Sequence, residues 1–225
     1  MKRIKILNNS SLKVIAAILM LIDHIGFILL PNIALLHYIG RLAYPIFAFC
    51  IAEGYFHTRN KYIYFIKLFG FAFITEPIFD LAFYNTLYYT YHQNVLFTFS
   101  LSVFYLMICD YINEKNKYKD TIYDLPQLLL WLVFNAIAIL IKCDYDAYGF
   151  TLVILFYIIK KNKNFKPFII PAFQLLALRG SELYSIFSNV IIYLYNGKKG
   201  YNLRYFFYFF YPGHLLVLYI IKLLI

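Results

Sequence analysis

The chain has 225 residues, 63% of them hydrophobic and only 14% charged, with a positive mean hydropathy. Soluble globular chains run near ~45–50% apolar and ~25% charged, so a water-soluble surface is excluded. The expected fold class is all-α, a polytopic helical membrane protein. The net charge of +10 does not point to nucleic acid, because sixteen of the 21 basic residues fall in five small groups between apolar runs. These are Lys2, Arg3 and Lys5; Arg59, Lys61 and Lys67; Lys115, Lys117 and Lys119; Lys160, Lys161, Lys163 and Lys166; and Lys198, Lys199 and Arg204. They occupy every second loop, the positive-inside pattern, which places the N-terminus in the cytoplasm.

Nine apolar runs follow in order: 12–30, 34–55, 62–84, 94–113, 125–142, 147–160, 167–179, 182–195 and 204–224. A crossing needs ~20 apolar residues, so the sixth to eighth are short. The expectation is about nine transmembrane or half-spanning helices in one integral-membrane domain over 1–225. MKRIK before the first run has the outline of a signal peptide. No small-residue cleavage site follows, and the run carries charges, so it reads as a retained helix. Cys50, Cys109 and Cys143 have no paired spacing, which indicates neither a disulfide framework nor a zinc site. No metal is implied.

Ionisable residues inside the runs are the informative ones, since each costs at least ~2.5–3.5 kcal/mol at the centre of a membrane helix. The first run carries Lys13, Asp23 and His24. Lys13 and His24 are about 16 Å apart along a helix, half a bilayer. The second run carries Arg41, which either snorkels or offsets charge, and Glu53 beside His57, Arg59 and Lys61. The last three are suited to an anionic, phosphate-bearing cofactor arriving from inside.

In the third run Glu76 and Asp80 lie four apart, on one helix face, with Pro77 between them to interrupt the backbone hydrogen bonding and shape a cavity. Gln93 and Asn94 open the fourth run. They present amides to a substrate near the outer face, or Asn94 simply caps its helix. In the last run Pro212 and Gly213 loosen the helix just before His214. Asp23, Glu53, Gln93, Asn94 and His214 are the candidate substrate contacts. No phosphate-cradling Gly-rich loop or nucleophile elbow is present.

Taken together, LKVIAAILMLIDHIG, IGRLAYPIFAFCIAEGYFHTRN, ITEPIFDLAF, QNVLFTFSL, DAYGFTLVIL and FYPGHLLVLY resemble the TraX family of bacterial membrane proteins, named for a pilin acetylase. The family is similar in fold to transmembrane acyltransferases that carry acetyl from cytoplasmic acetyl-CoA to an acceptor across the membrane. In the O-acetylating group of those enzymes a basic residue, ten intervening residues and a catalytic histidine lie on the first helix. Lys13 and His24 match that spacing, with Lys where the group carries Arg.

The resemblance implies a multi-pass protein of the bacterial cytoplasmic membrane with acetyl-CoA as co-substrate. His24 would be the general base, oriented by Glu76 or Asp80, because Asp23 points about 100° away from it on a helix. Arg41 would offset the charge of the tetrahedral intermediate. Lys13, His57, Arg59 and Lys61 would hold the CoA phosphates. The acceptor stays open between a peptide amine and a saccharide, and homo-oligomerisation stays open too. The competing classes are a transporter or permease, and a non-catalytic assembly factor for a surface appendage.

Overall fold

A computed structural model describes residues 5–115, 125–161 and 168–225. The basic residues Lys2, Arg3, Lys117, Lys119, Lys163 and Lys166 of the topology pattern lie outside the described residues. The helices are α1 (Asn9–Ile28), α2 (Ala34–Gly40), α3 (Ala43–His57), α4 (Lys61–Tyr84), α5 (Val95–Lys115) and α6 (Leu125–Leu140). They continue with α7 (Asp146–Lys161), α8 (Ile169–Ala177), a 3₁₀ segment (Gly180–Phe187), α9 (Ser188–Tyr193) and α10 (Arg204–Leu224).

All nine apolar runs are thus helical, although the second divides into α2 and α3 and the eighth into the 3₁₀ segment and α9. Among the described residues four stretches are long and apolar enough to cross a bilayer: Asn9–Ile28, Ala34–His57, Val95–Glu114 and Tyr205–Leu224. The expectation of about nine transmembrane or half-spanning helices is met in helices and not in crossings. At 1.5 Å per residue α8 rises only about 14 Å, against a hydrocarbon core of ~30 Å.

The chain divides into two compact units. The first comprises residues 1–50, 77–88 and 167–225. Here α1 begins because the Asn8 side chain accepts the Ser11 backbone N–H at 2.9 Å, a cap worth about 1 kcal/mol. The residues before α1 are tied down by backbone bonds from Leu7 N–H to the Leu194 carbonyl and from Asn196 N–H to the Leu7 carbonyl. The Ser10 hydroxyl continues the seam, donating to the Lys199 carbonyl at 3.0 Å and to the Tyr201 carbonyl at 2.5 Å. Gly200 closes it in the left-handed region, φ 72°, where a Cβ would run into Asn8 and Ser10. Below the seam Leu12, Ala16, Ile46 and Cys50 form a core flanked by Ile191, Ile192 and Tyr195.

The second unit comprises residues 51–76 and 89–166. Phe134, Phe150 and Tyr105 meet ring to ring between α5, α6 and α7, with centroids 5.4–5.9 Å apart, a geometry aromatic quadrupoles favour. Buried polar side chains are paired inside this greasy packing: the Gln127 amide donates to Asn113 at 2.6 Å and the Thr151 hydroxyl to Asn135 at 3.0 Å. Without water to substitute, such partners are what make buried amides tolerable.

Candidate functional site

The first unit brings the histidine of α1 against the histidine of α10. His24 Nδ1 lies 2.7 Å from His214 Nε2, and the two rings stack nearly parallel, 5.0 Å between centroids and 9° between planes. His214 Nδ1 in turn lies 2.7 Å from the Phe210 carbonyl.

That last contact decides the protons. A carbonyl only accepts, so His214 carries its hydrogen on Nδ1 and a neutral ring leaves Nε2 as an acceptor. His24 must then donate from Nδ1, which leaves His24 Nε2 as the basic nitrogen. Among the described residues no polar group occupies it. Phe83 stands edge-on to the His24 ring at 5.2 Å and Phe210 stacks on His214 at 4.8 Å, so aromatic walls hold both rings.

Within the first unit the side chain bonded to His24 is thus His214, where the expectation named Glu76 or Asp80. α10 is continuous through Pro212, so His214 stands one turn from the carbonyl it bonds.

Asp23, adjacent to His24 in sequence, faces another way and is buried, 7% exposed. His37 on α2 donates to its carboxylate at 3.3 Å. Arg41, just past α2, reaches it at 3.8 Å and also reaches Glu182 of the 3₁₀ segment at 3.1 Å. Arg41 is thus held between two carboxylates.

Gly40 permits the crossing, because a Cβ there would overlap the Asp23 side chain. His37 and Glu182 escaped the sequence reading. The signal for His37 was present, since it precedes Arg41 by four residues on one helix face. Glu182 had no comparable signal, because its partner is distant in sequence.

Asp80 is fully buried on the part of α4 that belongs to the first unit. Lys13, on the second turn of α1, lies over the Phe207 ring at 5.8 Å and faces no carboxylate among the described residues.

The remaining candidates lie in the second unit. Glu76 accepts the Asn94 backbone N–H at 3.0 Å and also the Asn94 side-chain amide. The same Asn94 caps α5 through the Leu96 N–H at 3.0 Å and donates to the Ala72 carbonyl at 2.9 Å. Asn94 thus caps α5, and its side-chain amide is taken up by Ala72 and Glu76. Gln93 joins the turn at Cys143 through backbone bonds to Lys142 and Asp144, and its side chain reaches the Tyr89 carbonyl at 3.4 Å.

Beside it, outside the spanning helices, His92 lies 3.3 Å from Asp144. Partial burial alone would lower the His92 pKa. The Asp144 hydrogen bond and the charges of Asp144, Asp146 and Glu76 outweigh burial and raise it above its usual 6.5. Burial pushes the Cys143 thiol up to about 12, so it is unreactive near neutral pH.

At the ends of α3, α5 and α7, Glu53 is 4% exposed and takes His57 Nε2 at 3.1 Å and the Lys160 ammonium. Lys61 donates to Asp110 at 2.5 Å, and Tyr55 joins it at 2.6 Å. His57 and Lys61, expected to hold phosphate, each already face a carboxylate; Arg59 is exposed.

A family model described as TraX protein matches residues 8–222, nearly the whole chain. A protein of Dichelobacter nodosus described as probable fimbrial assembly protein FimC, serogroup H1, is 29% identical over 236 residues, covering 92% of each chain. No solved structure matches. The family model runs almost end to end, over residues 8–222: the chain belongs to the TraX family.

Proposed function

We propose that this chain is an integral-membrane acetyltransferase that moves acetyl from cytoplasmic acetyl-CoA to an amine or hydroxyl acceptor, with His24 as general base. The observation that carries the reading is the proton chain from His24 through His214 to the Phe210 carbonyl. It leaves His24 Nε2 with its lone pair available on a ring that cannot rotate without breaking the chain. Ionisable residues inside membrane helices mark functional sites by default.

In the proposed reaction the acceptor nitrogen or oxygen attacks the thioester carbonyl carbon as His24 Nε2 takes its proton. The tetrahedral intermediate then expels the CoA thiolate, which receives that proton back. The imidazolium formed on the way keeps its Nδ1–H bond to His214. Charge on the intermediate's oxygen would be offset by Arg41, whose own positive charge the Asp23 and Glu182 carboxylates hold in place. Among the residues expected to bind CoA, Arg59 is exposed and faces no acid among the described residues, whereas His57 and Lys61 are engaged. The Dichelobacter relative's description as a fimbrial assembly protein favours a peptide acceptor belonging to a surface fibre over a saccharide.

The test is to incubate the purified protein in nanodiscs with labelled acetyl-CoA and candidate acceptor peptides. Transfer is expected, together with its loss in His24→Ala while the protein stays membrane-inserted. Persistent transfer in that variant would sink the assignment.

A second reading, an assembly factor without catalysis, is favoured by the same relative's description. It predicts that His24 and His214 tolerate apolar replacement in a fibre-assembly assay. A transporter would show gradient-driven uptake and no acetyl transfer.

A further inference from the structure

Lys13 directly precedes Val14, the first α1 residue to line an apolar groove. On the first unit's surface, α1 contributes Val14, Ala17, Ile18 and Leu21, and α10 contributes Phe206 and Phe210, to a cleft of about 210 Å³. Ala17 is the floor: its single methyl leaves the space between the flanking larger side chains. The cleft is smaller than the ~300–1,000 Å³ of a site for a compact ligand, and its shape follows two helices lengthwise, which suits one extended chain. Its lining carries no hydrogen-bonding side chain. A pantetheine arm would leave its amides unpaired there, at a cost a hydrocarbon chain does not incur.

The two ends of the groove differ. At one end Lys13 lies over the Phe207 ring, and the segment carrying exposed Lys198 and Lys199 is hydrogen-bonded along the first turn of α1. None of these three lysines faces a carboxylate among the described residues. Cations gathered at the end of a membrane helix attract anionic headgroups. At the other end the groove reaches Phe210, whose ring stacks on His214 and whose carbonyl takes the His214 proton.

We propose that this groove and its basic end form a binding site for an anionic phospholipid, with the phosphate on Lys13, Lys198 and Lys199. One acyl chain lies between α1 and α10 and ends against Phe210. The site stands independently of acetyl transfer. It reassigns Lys13 from a coenzyme contact to a lipid contact, and it makes the lipid chain a buttress for the histidine pair.

The experiment places the full chain in phosphatidylcholine nanodiscs doped with phosphatidylglycerol bearing a photoreactive group along one acyl chain, and maps the labelled peptides after irradiation. Label is expected to concentrate on the α1 stretch 14–21 and the α10 stretch 206–210. It should fall about fivefold in Lys13→Gln, and Ala17→Phe should displace it from the groove while that variant retains its helical circular dichroism.

A phosphatidylcholine probe with the same chain should label these peptides less. Equal labelling by the two headgroups, or label spread evenly onto the exposed leucines of α6, overturns the proposal. Displacement of the label by coenzyme A overturns it too, by assigning the groove to the thioester arm. Should Ala17→Phe fail to insert, Lys13→Gln and the headgroup comparison still decide.

Discussion

At the scale of single residues, the properties of His24 depend on what its far nitrogen does. With His24 as the proposed general base, a role that contributes about 10²–10⁴-fold to a rate, His24→Ala should lose transfer activity by that order. His214 acts through His24, and its replacements separate hydrogen bonding from bulk. In His214→Gln a side-chain carbonyl can still accept from His24 Nδ1, whereas His214→Leu removes the acceptor and lets the ring flip. The glutamine variant should therefore retain measurably more kcat than the leucine variant, with KM for acetyl-CoA little changed in either. Equal losses would remove the tautomer argument. Gly40 is the other position where one atom matters: Gly40→Ala places a methyl on the Asp23 carboxylate, and overpacking of this kind costs about 1–3 kcal/mol, read as a lowered thermal midpoint in detergent.

At the scale of elements, ion pairs join segments that no apolar stripe would align. Arg41 links the end of α2 to α1 through Asp23 and to the 3₁₀ segment through Glu182, both Asp23 and Arg41 being mostly withdrawn from solvent. Removing one member strands a buried charge, at about 3–5 kcal/mol. Arg41→Met should lower stability strongly, and a compensating Asp23→Asn in the same chain should restore part of it.

The loop before α5 offers a pH test. The His92 pKa is raised in the folded protein by Asp144 against the opposing effect of burial. Its contribution is therefore fully present below the unfolded value of about 6.5 and is lost as pH rises through the higher folded value. Proteolysis of the 85–93 loop should accelerate as pH increases from about 6.5, and His92→Gln should flatten that profile. A profile unchanged by the substitution would dissociate the loop from His92.

At the scale of the whole molecule, charge placement makes a prediction that folding alone does not. With the N-terminus cytoplasmic, cysteines introduced at Asn32 and Thr90 should react with an impermeant maleimide added outside intact cells, and one at Asn60 should not. The native Cys50, Cys109 and Cys143 are buried and form a low background. Reaction at Asn60 instead would invert the orientation and put the basic helix ends on the outer face.

Sequence alone determined that the protein is a helical membrane protein, where its helices run and which ionisable residues they carry. Those properties are local: hydropathy over about 20 residues decides what enters a bilayer, and every basic group marks a boundary by itself. It also singled out His24. What it did not contain was the pairing.

Glu76 and Asp80 were attractive partners for His24 because they are acids, yet Glu76 is taken by Asn94. The partner that the fold supplies lies 190 residues away on the last helix. Likewise Asp23 faces His37 and Arg41, and Lys61 faces Asp110, because helix packing chooses among many charge-compatible pairs by geometry alone. Each buried polar group needs a partner, but only the tertiary structure determines which one, since the requirement is chemical and the choice is steric.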